Sequence, residues 1–117
     1  MMGELPPQVQ NLVAQLQQLQ QQLQAVITQR AQVEALLRDA EQALEELQKL
    51  EDESPVYKAV GNVLIKEKKE DVVKELTEKK ETYEIRIKTL QRQEEKLRER
   101  FAETQKKLQG ILSPQAG

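Results

Sequence analysis

Two long runs of apolar residues at a period of 3.5, separated by a short β-type segment in place of a loop, constrain this 117-residue chain more than any other feature. In the first run Val9, Leu16, Leu23, Arg30, Leu37 and Leu44 alternate at spacings of three and four with Leu12, Leu19, Val26, Val33, Ala40 and Leu47. In the second, Val73, Lys80, Ile87, Glu94, Phe101 and Leu108 alternate with Leu76, Tyr83, Leu90, Leu97, Thr104 and Ile111. A seam that repeats every seven residues keeps to one stripe of a helix, and it is buried only against another such stripe. The pattern predicts a mainly α fold, a long antiparallel two-helix coiled coil with a single β-hairpin at its base, as one domain over 1–117.

Composition points the same way. With one Phe, two Tyr and no Trp the chain lacks the bulky residues of an ordinary globular core, so a Leu, Val and Ile seam must serve instead. The absence of Cys excludes disulfides, zinc-thiolate sites and thiol catalysis, and the absence of His removes the commonest general base and metal ligand. No enzyme, cofactor or metal site is expected. No run of about 18 apolar residues is present, and Met1-Met2-Gly3-Glu4 has no basic-then-apolar signal layout, so a soluble, intracellular, cytoplasmic protein is expected.

Proline marks the element ends. Pro6 and Pro7 suit a first helical turn, which places helix 1 over 7–50, and Ser54-Pro55 forbids its continuation. Helix 2 is expected over 69–112, with Glu70 and Asp71 complementing its dipole, fraying around Gly110 before Ser113-Pro114. At about 1.5 Å per residue each arm is roughly 65 Å long.

Over 55–67, Val56-Tyr57-Lys58-Ala59-Val60 and Val63-Leu64-Ile65-Lys66 flank Gly61-Asn62, a pair able to supply the positive φ angles of a tight hairpin turn. With Val60 opposite Val63, one face carries Val56, Lys58, Val60, Val63 and Ile65, and the other Tyr57, Ala59, Leu64 and Lys66. Both faces are apolar. A lone two-stranded hairpin is marginal in water and exposes its backbone edges, so pairing with hairpins of other subunits is expected.

If Leu47 faces Val73, then Leu44 meets Leu76, Leu37 meets Tyr83, Leu23 meets Leu97 and Leu19 meets Phe101, and all twelve layers close without a slip. Arg30, in the Leu90 layer, then lies beside Glu94, in the Val26 layer, close enough for an ion pair that fixes register. The alternative is that both heads snorkel outward along their stems.

Charge is uneven. No charged residue lies between Glu4 and Arg30, where the helix surface is mostly Gln, while Arg86 to Lys107 is net +4 and Arg30 to Glu84 is net −5. A Gln surface is either a plain solvated helix face or one that approaches unfolded chains without desolvating charge. Leu5, Val13 and Leu112 lie off the seam near this end and favour the second reading. Val9, Leu12, Leu108 and Ile111 are expected to be partly exposed there, because Pro6, Pro7 and Gly110 limit helix pairing.

The run from Pro55 through Ile65, followed by Asp71-Val72-Val73-Lys74-Glu75-Leu76, resembles the prefoldin family and its archaeal β type, which carries a single hairpin where the α type carries two. The resemblance covers about residues 5 to 113. Lys68 departs from the acidic or short polar cap common in that family. The resemblance implies an ATP-independent holdase: a hexamer of two α-type and four β-type subunits joined through Val56, Tyr57, Val60, Gly61, Asn62, Val63, Leu64 and Ile65. It also implies that non-native clients are captured at coiled-coil tips, here Leu5, Val9, Leu12, Val13, Leu16, Leu108, Ile111 and Leu112, and passed to a group II chaperonin. The basic residues Arg98, Arg100, Lys106 and Lys107 are candidates for chaperonin docking.

A generic coiled-coil scaffold or tether is the alternative, but it has no need of a hairpin with two apolar faces. Nucleic acid is not an expected partner, because the lysines at Lys66 to Lys69 and Lys79-Lys80 are interleaved with acids. A membrane is not expected either, since helix 1 has almost no basic face. Paired carboxylates such as Glu45-Glu46 and Glu94-Glu95 read as solvated helix faces in the absence of a pocket.

Overall fold

The structure is a computed structural model that describes residues 4–113. Met1-Met2-Gly3 and the expected stop at Pro114 lie outside the described residues. Helix α1 spans Pro7–Gln48, strand β1 Val56–Val60, strand β2 Val63–Glu67 and helix α2 Lys69–Leu112. The fold is thus mainly helical, with two long helices in contact and an antiparallel two-stranded hairpin between them.

Two compact units divide these elements, one built from the chain up to Arg30 and from Thr89 onward, the other from Ala31–Lys88. The first unit is a helix pair around the seam. Leu90 is wholly buried, Val9 and Leu12 are 2% and 8% exposed, and Leu16, Leu19, Leu23, Val26, Leu97 and Phe101 are half-buried. Among the described residues Thr104 is the buried polar one, and its hydroxyl donates to the Arg100 carbonyl at 2.8 Å, which satisfies it within the helix.

In the second unit Ala40, Leu47 and Val56 are buried, while Val33, Leu37, Leu44, Val73, Leu76, Tyr83 and Ile87 are half-buried. Across both runs every seam residue is buried or half-buried except Ile111, so the 3.5-residue period marks the buried stripe as expected.

Helix α1 stops at Gln48, two residues short of expectation. The Lys49 and Leu50 amides bond back to Glu46 and Leu47 at 3.2 and 3.1 Å, a tightening to three-residue closure that ends the α-helical ladder. Lys69 Nζ donates to the freed Leu50 carbonyl at 2.8 Å, so the start of α2 ties down the end of α1. The first turn of α2 is anchored on the Lys68 carbonyl, which accepts from the Asp71 and Val72 amides, with Glu70 and Asp71 alongside. At the other end α2 runs through Gly110 to Leu112 without fraying there, and Ser113 N bonds to the Gln109 carbonyl at 2.9 Å.

In the hairpin Val60 pairs with Val63 and Val56 with Glu67, the expected register. Only Gly61 takes a positive φ, at 59°; Asn62 does not, and no other described residue does. That is the signature of a type II′ turn, which asks for Gly at the first central position alone and matches the twist of the strands.

Candidate functional site

Lys58 seats the hairpin on α2. From the inner face of β1 its Nζ donates to both Glu75 carboxylate oxygens, at 2.9 and 3.0 Å, and Lys79 Nζ stands 3.5 Å from the same carboxylate. The Lys58 hydrogen bond holds the Glu75 carboxyl below its ordinary value, and in return holds Lys58 above its own. Val56, on the same face, is 9% exposed and belongs to the buried core of the chain, so of the expected assembly residues it is the one already covered within the subunit.

Beyond that anchor the hairpin is open on both faces. Val60, Val63 and Ile65 are 50%, 60% and 44% exposed on one, and Tyr57 and Leu64 are 58% and 70% exposed on the other. Both strands are edge strands of a two-stranded sheet. Apolar surface of this kind, bordered by unpaired backbone groups, is the arrangement that accepts further strands and packed side chains. Gly61 and Asn62 lie at the exposed turn and shape it.

At the terminal end of the first unit the expected exposure is only partly met. Val9 and Leu12 are buried, because α1 begins at Pro7 and α2 continues past Gly110, so the two helices stay paired over these residues. Leu5, Val13, Leu16 and Leu108 are half-buried, and only Ile111 and Leu112 are open, at 36% and 58%. Leu5 is held against the first helical turn by Gln10, whose side-chain amide donates to the Leu5 carbonyl at 2.7 Å.

Farther along this unit, Arg30 Nε and a terminal guanidinium nitrogen both donate to Glu94 Oε1, at 3.1 and 2.9 Å, and Arg98 Nε donates to Oε2 at 2.9 Å. Of the two arrangements that the register allows, the ion pair is the one made. With the Glu94 side chain only 15% exposed, Arg98 first and Arg30 second hold its carboxyl below the ordinary 4.5. A depressed folded value stabilises the fold above about pH 4.5, and that contribution is lost as pH falls through it. We expect the denaturation midpoint of the wild type to fall more steeply than that of Glu94→Gln on acidification to about pH 3. Parallel curves would show that Glu94 is not a stabilising ionised group.

Of the basic candidates, Arg98 is thus tied to Glu94, while Arg100, Lys106 and Lys107 are exposed and make no ion pair among the described residues. Residues that sequence reasoning passed over include Leu36, Leu50 and Ile85, which are 47%, 42% and 67% exposed. They lie off the seam, and reading every apolar residue against the heptad would have found them. Lys58 and Glu75 were missed as a pair because they are far apart in sequence and on different types of element. Among the described residues no cluster could hold a metal ion, and no helix is long and apolar enough to cross a membrane.

These features coincide with known proteins. The family model described as "Prefoldin subunit" matches residues 10–115. The prefoldin subunit beta of Archaeoglobus fulgidus is 91% identical over 116 residues, covering 99% of this chain and all of the relative, and that of Methanosarcina acetivorans is 47% identical over 99% of both. The crystal structure of the prefoldin beta subunit from Thermococcus strain KS-1 superposes with a TM-score of 0.85 at 45% identity, covering 92% of this chain and 94% of that one. With its single hairpin between seam-paired helices and this identity along its length, the chain belongs to the prefoldin family of non-enzymatic chaperones, as one of its archaeal β-type subunits.

Proposed function

We propose that this subunit joins α-type subunits through its hairpin and that the assembly acts in the cytoplasm as an ATP-independent holdase, taking up non-native chains at the terminal end of its helices. The observation that carries the reading is the hairpin itself. Five large apolar side chains stand exposed on its two faces, on strands whose outer edges have no neighbour among the described residues. A monomer gains nothing from such a surface, and a tether does not need it.

Capture is assigned to Leu5, Ile111 and Leu112, with Val13, Leu16 and Leu108 reachable around them; the buried Val9 and Leu12 support the helix pair beneath. The uncharged, Gln-rich surface beside them costs little to cover. Handover to a group II chaperonin is assigned to the basic residues Arg98, Arg100, Lys106 and Lys107, through attraction to an acidic surface that weakens as salt rises, since exposed charges are screened over about 8 Å at physiological salt.

Coexpression with an α-type subunit tests both halves. The complex is expected to have a hexameric mass and to suppress aggregation of an unfolded client. A chain truncated before Gln8 and after Lys107 keeps the hairpin and should still assemble, with its suppression sharply reduced. A truncated complex that protects as well as the full one would place capture elsewhere, and a wild-type chain that stays monomeric beside its partner would reject the reading.

A further inference from the structure

Three cavities of about 460, 360 and 460 Å³ lie in succession along one side of the seam in the first unit. Gln15 and Lys107 line both the first and the second, and Gln22 and Arg100 both the second and the third, so together they make one groove. Its α1 wall is a ladder of Gln8, Gln15, Gln22 and Gln29, one carboxamide every seven residues. The α2 wall repeats the spacing with Gln93, Arg100 and Lys107. Leu12, Leu19 and Val26 of the seam line it as well.

All of these Gln side chains are exposed, and none has a hydrogen-bond partner among the described residues; the carboxamides that do bond, Gln10 and Gln24, do not line the groove. A carboxamide offers a donor and an acceptor together, the complement of a peptide group that has lost its secondary structure. Gln also costs far less to desolvate than a charged residue. Lys96, Arg100 and Lys107 face the groove without ion pairs among the described residues, against a single acid, Glu103. The groove is therefore positive. From Gln8 to Gln29 it follows about 32 Å of helix, room for roughly nine residues of extended chain.

We infer that this groove binds an extended, acidic segment of a non-native polypeptide, its main chain pairing with the glutamine ladder and its carboxylates with Lys96, Arg100 and Lys107. The inference rests on the holdase reading and names the class of client segment that lies along the helices below the apolar end; it shares Arg100 and Lys107 with the proposed chaperonin surface, so the chaperonin and the client's carboxylates compete for them.

Two labelled, unstructured decapeptides of equal apolar content, one carrying Asp and Glu and the other Lys, test it by fluorescence anisotropy with the assembled complex. The wild type should bind the acidic peptide about tenfold more tightly at low salt, the sum of a few exposed ion pairs. The double variant Arg100→Glu, Lys107→Glu should reverse the order, an outcome that misfolding cannot produce. Gln15→Leu with Gln22→Leu should weaken both peptides while leaving the preference intact. Equal binding of the two peptides by the wild type, a preference unchanged by the reversal, or polyphosphate bound as tightly as the acidic peptide would overturn the proposal. Aggregation suppression of an uncharged client, run alongside, reports on the holdase reading separately: its absence in the wild type would sink that reading whichever peptide is preferred.

Discussion

Replacing Val60 and Ile65 with Asp is expected to abolish assembly while both helices remain formed. The two side chains are 50% and 44% exposed on one face of the hairpin, so the carboxylates are well solvated in the isolated chain and cost it little. In an assembly they would be buried against apolar neighbours, where an unpaired carboxylate costs several kcal/mol. Lys58–Glu75 and Val56 still seat the hairpin on the chain, so the change falls on the association step. Light scattering and far-UV circular dichroism of the variant with its α-type partner give the answer. A complex of undiminished mass would show that the hairpin is not the assembly element.

Leu90→Ala is expected to cost about 2–4 kcal/mol of stability, more than any other single truncation along the seam. Leu90 has no exposed surface, and it lies in the same stretch of the seam as the Arg30–Glu94 pair. Ala at this position would leave a void one helical turn from Glu94, whose pairing with Arg30 depends on the helices staying in register. Leu90→Met, which keeps the volume, should lose less than about 1.5 kcal/mol. Denaturant titration of the assembled protein distinguishes the two. A loss below about 1 kcal/mol for the alanine variant would mean that the seam collapses around the gap and that packing there is looser than the burial implies.

The elements were legible because each is set by local rules. A period of 3.5 names the buried stripe of both helices, and the structure keeps to it at every seam position but Ile111. Pro7 and the turn pair Gly61-Asn62 fix where α1 begins and where the hairpin reverses. The proximity of Arg30 and Glu94 was readable too, since an antiparallel seam with no slips leaves those two polar intruders one layer apart; that they pair instead of turning outward is seen only in the structure.

Exposure at the terminal end was not legible in the same way. Whether Val9 and Leu12 are covered depends on how far the opposite helix reaches, and that is decided by α2 continuing through Gly110, where a glycine costs only about 1 kcal/mol against the packing it permits. The hairpin divides along the same line. Strand register and alternation are sequence properties with a period of two, so the two apolar faces could be written down in advance. Which of their residues is open to a partner follows from packing within the chain, where Val56 is buried and Glu75 of α2 clamps Lys58. The groove along the helices is likewise tertiary: the glutamine spacing is plain in the chain, but only the pairing of α1 with α2 sets it opposite Arg100 and Lys107. Periodicity and turn chemistry act between neighbours in sequence and can be read there; exposure and charge apposition act between elements, and packing alone decides them.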